Sequence, residues 1–211
     1  LQSKSLFELF PSEFTEGKKN MLINGLVWMG EEQFMKTQIE EKLAQGFSCI
    51  KLKIGAIDFD KELGLLRFIR QNFDAKTIEI RVDANGAFNS NEALSKLNQL
   101  NEFELHSIEQ PIKANQIQEM KLLCQQTPFP IALDEELIGV FGIENKRILL
   151  EEIQPQYIIL KPSLVGGFKG TLEWISIAES LNIGWWITSA LESNIGLNAI
   201  TQFTFTLNNP M

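Results

Sequence analysis

Six charged residues recur at a spacing that could do chemistry. Lys53, Asp83, Glu109, Asp134 and Lys161 follow one another at intervals of 25 to 30 residues, and Lys51 precedes the first of them by two. Each closes an apolar run and opens a turn: the lysines stand before Gly55, Asp83 before Asn85 and Gly86, Glu109 before Pro111, Asp134 before Glu135 and Glu136, and Lys161 before Pro162. Three carboxylates brought to one place repel one another and raise each other's pKa unless a cation sits among them. Three oxygen donors, with room left for water and substrate, suit a hard ion, Mg²⁺ with Mn²⁺ as a substitute. Amines flanking that ion, partly buried beside positive charge, have their pKa lowered toward that of a general base. The expected site therefore has Asp83, Glu109 and Asp134 as metal ligands, with Lys53 and Lys161 as catalytic amines and Lys51 assisting. For any one of these residues, solvation of a rim or a plain ion pair is an equally good account. Six charges in register are not explained that way.

The elements that must position them alternate along the chain. Strands are expected over Met21–Trp28, Ser48–Ile54, Thr77–Val82, Glu104–Ile108, Pro130–Leu133, Gln156–Leu160 and Ile183–Ile187. Amphipathic helices are expected over Glu31–Gln45, Phe59–Gln71, Ser90–Asn101, Asn115–Gln126, Ile143–Glu151, Gly167–Leu181 and Asn194–Thr206. Seven βα units of this kind make an α/β protein with a parallel sheet, either an open doubly wound sheet or a closed barrel. No glycine fingerprint for a dinucleotide follows the first strand, which favours the barrel. One charge at the carboxyl end of each strand then falls on the rim where barrel enzymes keep their active sites. Strand alternation puts Lys51 and Lys53 on one face, with Leu52 and Ile54 on the other, under the helices. A complete eight-fold barrel takes about 250 residues, so an eighth strand is expected beyond Met211. Residues 1–19 read as a lead-in and 20–211 as the incomplete barrel.

Around the charged set, Asn85, Gly166, Ser189 and Glu192 are candidate substrate contacts. The Gly166-Gly167 pair admits two readings, an anion seat at the next helix's amino end and a tight βα turn. Arg81 shares the face of Asp83 and reads as a structural partner for carboxylates. His106 has the opposite parity to Glu109 and is expected to face the helices. At least one of Trp185 and Trp186 is expected in the core or the barrel wall.

Composition narrows the function classes. The 211 residues carry a net charge of −8, with 44% apolar and 22% charged residues, the balance of a soluble globular protein. An acidic chain lacks the clustered basic surface that a phosphate backbone demands, so no nucleic-acid partner is expected. Leu1 to Phe14 holds Lys4, Glu8, Pro11 and Glu13, which breaks any signal peptide or membrane span and points to the cytoplasm. Cys49 and Cys124 have no paired spacing and read as buried free thiols. A single histidine leaves little for a zinc site or a Ser/His/Asp triad.

The motifs I-K-L-K (50–53), V-D-A-N (82–85), I-E-Q-P (108–111), L-D-E (133–135) and L-K-P (160–162) together resemble the muconate-lactonizing-enzyme subgroup of the enolase superfamily. The resemblance runs from about Asn20 to the end, and Leu6 to Pro11 is similar to that family's lead-in. Within the subgroup, S-A-L-E-S-N-I-G (189–196) resembles the o-succinylbenzoate synthase family of menaquinone biosynthesis. The resemblance implies a (β/α)7β barrel, here without the amino-terminal α+β capping domain, and a small-molecule carboxylate substrate. It also implies metal-dependent removal of the proton α to that carboxylate by Lys53. By the same resemblance, Lys161 would stabilise the enediolate, Lys51 would lower the pKa of Lys53, and water would be lost. N-acylamino acid racemases and dipeptide epimerases share the lysine pair and ligand set and remain the alternative. Outside that chemistry stand a Schiff-base aldolase with Lys161 as nucleophile and a barrel that binds without catalysis.

Overall fold

The structure is a computed structural model that describes residues 5–209. The first four residues of the expected lead-in and the last two of the expected barrel lie outside the described residues. Seven apolar runs form strands: β1 (Gly25–Val27), β2 (Cys49–Lys53), β3 (Glu79–Asp83), β4 (Ser107–Glu109), β5 (Ile131–Leu133), β6 (Tyr157–Leu160) and β7 (Gly184–Ile187). Each is followed by a helix: α1 (Glu32–Ala44), α2 (Phe59–Asn72), α3 (Ser90–Leu100), α4 (Ile117–Gln126), α5 (Ile143–Ile153), α6 (Gly167–Ser180) and α7 (Asn194–Phe205). The strands pair in chain order, all parallel, with β1 and β7 at the two edges. Parallel neighbours require a long crossover, and the helix between each pair supplies it.

The sheet is curled like the staves of a barrel. Arg81 of β3 holds its guanidinium 4.4 Å from the ring centre of Trp186 of β7. In a flat sheet these strands would lie roughly 19 Å apart, four spacings of about 4.8 Å. Curling divides the side chains into two sets. Ile50, Leu52, Ile80, Val82, Ile108, Leu133, Ile158 and Leu160 point outward into the main core, where they meet Met35, Ile39, Leu66, Ile69, Leu97 and Trp174 of the helices. Ala132, Ile159 and Trp186, with Tyr157 against them, form a small separate core inside the curl. Truncating an outward strand residue such as Leu52, wholly buried, to alanine costs about 2–5 kcal/mol. The charged residues alternate with this outward set, so packing of the helices fixes their direction.

Several helices start from side chains that accept an amide hydrogen bond: Asp58 from Asp60, Asn89 from Asn91 and Ser193 from Gly196. These caps end the loops that carry the candidate site and so set their length. All seven strands are shorter than the expected runs, and β1 and β4 depart most from their expected starts. β1 holds only Gly25–Val27, leaving Leu22 and Ile23 exposed. β4 begins at Ser107 because a 3₁₀ turn over Asn101–Phe103 ends at Glu104 in a left-handed conformation, φ 48°. His106 therefore precedes the pleat, and the parity argument fails for it. Its ring stacks on Tyr157 at 5.1 Å and lies edge-on to Trp186 at 5.9 Å, at the inner aromatic cluster rather than under the helices.

Trp185 joins the outer core and Trp186 the inner one. Arg81 pairs with Glu79 at 2.6 Å, as a structural partner should. Cys49 is half-buried and Cys124 buried; both are free thiols, and burial pushes each up to about 12. Residues 6–14 lie along α6 and α7. Phe10 packs on Phe168 and Phe203 at 5.3 and 5.6 Å, and its amide donates to Gln202 Oε1 at 3.1 Å. Among the described residues, no helix is long and apolar enough to cross a membrane.

Candidate functional site

The register of the ladder assembles the site. Lys53 pairs with Asp83 and Asp83 with Glu109, so three charges from β2, β3 and β4 stand side by side. Asp134 and Lys161 follow the last residues of β5 and β6 and join them through ion pairs. Lys53 Nζ donates to Asp83 Oδ2 at 2.6 Å and to Asn85 Oδ1 at 2.7 Å. Lys51 Nζ bridges Asp83 Oδ2, at 3.0 Å, and Glu109 Oε2. Lys161 Nζ binds Asp134 Oδ2 and stands 3.7 Å from Glu109 Oε1. All six predicted charges thus form one connected cluster, with an amine at each end of an acidic row. The acids are the most deeply buried part: Asp83 is 0%, Glu109 2% and Asp134 2% exposed.

Burial and charge act against each other here. Burial raises the Asp83 carboxyl, yet Lys51 and Lys53 outweigh it and hold the group below the usual aspartate value. Glu109 goes the other way. Burial pushes it up to about 8, and the neighbouring Asp83 and Asp134 charges add to the rise against the opposing Lys51 and Lys161. Its Oε1 is buried and accepts no hydrogen bond. Lys51 and Lys161 both stand above the ordinary lysine value, whereas the sequence expectation places Lys161, beside a bound cation, below it. Burial does act to lower both, but Glu109 and Asp83 hold Lys51 above the ordinary value, and Asp134 and Glu109 do the same for Lys161. The expectation counted a cation's charge on the amines; in the protein alone the carboxylates dominate.

The same cluster bears on whether a metal fits. Among the described residues, no three aspartate, glutamate, histidine or cysteine side chains are gathered as a ready ligand group. The pairing shows why: Lys51 stands between Asp83 and Glu109 and Lys161 between Glu109 and Asp134, while Lys53 pairs with Asp83 alone among the three acids. The donor chemistry nevertheless fits a hard divalent ion. The acids supply oxygen only, they share no hydrogen bond with one another, and the buried Glu109 Oε1 accepts no hydrogen bond, with the Lys161 ammonium 3.7 Å away. A buried carboxylate oxygen left in that state costs stability unless something positive approaches it.

Loops between the strands lock one another. Gly55 has φ +92°, and a Cβ there would lie 2.4 Å from Ala87 Cβ. Glu62 of α2 is buried and accepts from the amides of Gly55, Ala56 and Ile57 at 2.6, 3.2 and 3.4 Å, so the loop after Lys53 is tied down by one carboxylate. Asn85, φ 43°, sits at the centre of a relay: its Oδ1 accepts from Lys53, and its Nδ2 donates to Glu135 Oε1 at 2.8 Å. Burial, then the Asp134 charge, raises the Glu135 pKa. Glu135 and Glu62 were missed as contributors from sequence. Glu135 directly follows the aspartate of L-D-E, whose position at the strand end is the stronger signal, and Glu62 looks like any helix-surface acid.

The remaining substrate candidates take different places. Glu192 Oε1 accepts from Ser163 Oγ at 2.6 Å and its Oε2 from the Ala190 amide at 2.7 Å, tying the loop after β7 to the loop after β6. Ser189 is half-buried in that same loop. Gly166, φ 100°, caps α6, and its carbonyl accepts from Gly170, which places it in a tight βα turn.

Comparison with known proteins agrees with this architecture. Residues 35–211 match the family described as enolase C-terminal domain-like. The chain is 58% identical over 197 residues to o-succinylbenzoate synthase of Desulfotalea psychrophila, covering 93% of this chain and 53% of that protein. It is 28% identical to L-Ala-D/L-Glu epimerase of Francisella tularensis subsp. novicida, covering 89% and 52%. The crystal structure of MenC from Desulfotalea psychrophila superposes with a TM-score of 0.90 at 55% identity, covering 97% of this chain and 56% of the other. Muconate lactonizing enzyme from Pseudomonas putida superposes at 0.78 and 25% identity, covering 89% and 52%. The chain spans about half the length of the curated relatives it matches. With a parallel βα barrel sheet, a connected row of strand-end acids and amines, and a family match over most of its length, the chain belongs to the enolase C-terminal domain-like family.

Proposed function

We propose that this chain, residues 20–211 with 1–19 as lead-in, is the barrel part of an o-succinylbenzoate synthase. The reaction would turn a succinyl-hydroxycyclohexadiene carboxylate into o-succinylbenzoate and water. The observation that carries the reading is the row of Asp83, Glu109 and Asp134 with Lys53 at one end and Lys161 at the other. The identity of 58% to a protein of that name supports it. Asp83, Glu109 and Asp134 would hold Mg²⁺, or Mn²⁺ in its place. When bound, such an ion supplies positive charge beside the substrate carboxylate and stabilises the negative charge that develops on its oxygens.

The protein's own groups do the rest. Lys53 as free amine takes the proton α to the carboxylate, and the C–H electron pair moves onto the carboxylate carbon and oxygens. Lys161 as ammonium faces that charge from the other end of the row. The electrons return to form the ring double bond as the β-hydroxyl leaves, and Lys53 returns its proton to that oxygen. Water is released, the ring becomes aromatic, and Lys53 ends as free amine. Lys51 pairs with Glu109 and Asp83 in the protein alone and adds positive charge beside Lys53. Asn85 orients the Lys53 amine through its Oδ1, and Ser189, Glu192 and Gly166 line the loops that would meet the rest of the substrate. The free thiols and the lack of a membrane-crossing helix among the described residues are in keeping with a cytoplasmic enzyme acting on a small molecule.

The decisive experiment is an assay of the intact protein with Mg²⁺ for dehydration of the cyclohexadiene carboxylate, set against racemization of N-succinyl amino acids. Dehydration is expected, and Lys53→Ala should reduce it by about 10²- to 10⁴-fold while Mn²⁺ still binds. Racemization alone would move the chain to the racemase and epimerase reading. Unchanged turnover in Lys53→Ala, or a borohydride-trapped adduct on Lys161 formed without metal, would overturn the mechanism.

A further inference from the structure

We infer that Gln110 is the positioning residue that sets the separation of Glu109 and Asp134, and so shapes the cation pocket; this rests on the metal-site reading above. Gln110 directly follows Glu109, is 0% exposed and has a left-handed backbone, φ 39°. A non-glycine residue in that conformation costs about 1 kcal/mol or more and persists only where its surroundings hold it. Here the surroundings use the whole amide. Gln110 Nε2 donates to the Ile112 carbonyl at 3.0 Å and to Glu136 Oε2 at 3.1 Å. Its Oε1 accepts from the Asp134 amide at 3.2 Å and the Glu136 amide at 3.3 Å. Two acceptors face the nitrogen and two donors face the oxygen, so only one orientation of the amide is satisfied.

The consequence lies in the ladder between β4 and β5. The Gln110 amide donates to the Ala132 carbonyl at 2.9 Å, as a regular parallel rung does. The next rung would run from the Asp134 amide to the Gln110 carbonyl. The left-handed turn instead aims that carbonyl at the Gly86 amide, 2.7 Å away on the loop after β3. The Gln110 side-chain oxygen takes over the vacated rung. One residue thus fastens the loops that carry Asp83, Glu109 and Asp134, and it does so through the backbone of Asp134, whose φ of −126° and ψ of −76° lie outside the strand. Glu136 is itself held, since its Oε1 accepts from the Asn115 amide at 2.8 Å. Gln110 touches no reacting atom; it acts through the two acids.

Mn²⁺ binding to the intact protein, followed by electron paramagnetic resonance, tests this. Gln110→Met deletes all four hydrogen bonds, and Gln110→Glu keeps the acceptors but sets a carboxylate against that of Glu136. Both should weaken Mn²⁺ binding by about 10- to 100-fold, the range for partners that orient metal ligands, and should broaden the Mn²⁺ signal. The paired exchange of Gln110→Glu with Glu136→Gln restores a donor and an acceptor across the 110–136 contact at unchanged net charge. It should recover most of the affinity even where Gln110→Met fails to fold. Natural affinity in a folded Gln110→Met or Gln110→Glu protein, or no recovery in the paired exchange, would overturn the inference while leaving the metal site intact. Absence of Mn²⁺ binding in the natural protein would overturn the metal-site reading and the inference together.

Discussion

Replacing Lys51 with methionine separates the two cations that can occupy the acidic row. The side chain is 12% exposed, and its ammonium is shared by Asp83 and Glu109. Methionine keeps most of the stem volume and removes the charge. Breaking a buried ion pair by deleting one partner costs about 3–5 kcal/mol. Two features place this case at the low end. Asp83 keeps Lys53 at 2.6 Å, and Glu109, already raised to about 8, can take up a proton at neutral pH. A loss of about 3 kcal/mol corresponds to a fall in Tm of about 6–12 °C for a chain of this size. If the proposed metal site is right, Mg²⁺ would have to displace that ammonium from the acids in the natural protein but not in the variant. Mg²⁺ at about 100 times the variant's Kd, and no higher than the natural protein's Kd, returns about 2.7 kcal/mol to the variant and at most about 0.4 kcal/mol to the natural protein. Thermal melts of natural and Lys51→Met protein in chelator and in Mg²⁺ should therefore show a gap of about 10 °C that closes largely on adding the ion. An equal gap in both conditions would refute the idea that ammonium and divalent ion compete for one place. No gap at all would remove Lys51 as the acids' partner.

Asp134→Asn keeps the shape of the third acid and removes its charge. Mn²⁺ titration should show an affinity reduced by at least about 10-fold, the loss reported for weaker perturbations of metal sites, and unchanged affinity would take Asp134 out of the ligand set. Glu62 offers a pH test away from the acidic row. Burial raises its pKa above 4.5, against the lowering action of its three backbone donors. A raised acid favours its protonated form in the fold, so this contribution is fully present below 4.5 and is lost as pH rises through the raised folded value. Glu62→Gln fixes the side chain neutral and still accepts the three amides. Denaturation midpoints from pH 4 upward should fall less steeply for Glu62→Gln than for the natural protein, and parallel curves would show that Glu62 does not titrate in the fold.

What could be read from the sequence was what repeats. Seven βα units and the six charges depend on period and on strand alternation, which survive without knowledge of any contact. Lys53, Asp83 and Glu109 fall on one line of the ladder because each ends its apolar run at the same height. What could not be read depends on loops and on the sum of opposing charges. Gln110 and Glu136 are separated by 26 residues and meet only because Gln110 takes a left-handed turn. Glu62 is an ordinary helix acid until three amides of the preceding loop close on it. The direction of the Lys161 shift depends on which cation faces the acids, and the spacing of the charges does not decide that. His106 was misplaced because parity holds only inside a pleat, and a 3₁₀ turn starts β4 one residue after it.

Burial of charge alone does not mark a functional group, and Lys146 shows the difference. It is 2% exposed between α5 and α6, and its ammonium donates to the Gly170 carbonyl at 3.0 Å and to Glu173 Oε2 at 2.8 Å, with the Trp174 ring 5.3 Å away. One cation meets one anion and one carbonyl, and an apolar pair of similar volume could replace it with little loss. The acidic row admits no such exchange into balance. Its three carboxylates press on one another from adjoining strands, its amines are divided among them, and Glu109 Oε1 is left without a hydrogen bond. A fold selected for stability alone would fill that interior with residues like Ile159 and Ala132, which occupy the layer beside it. Glu109, raised by burial and by its two acidic neighbours at the carboxyl ends of adjoining strands, where loops give access to a ligand, is the group that the proposed cation would relieve.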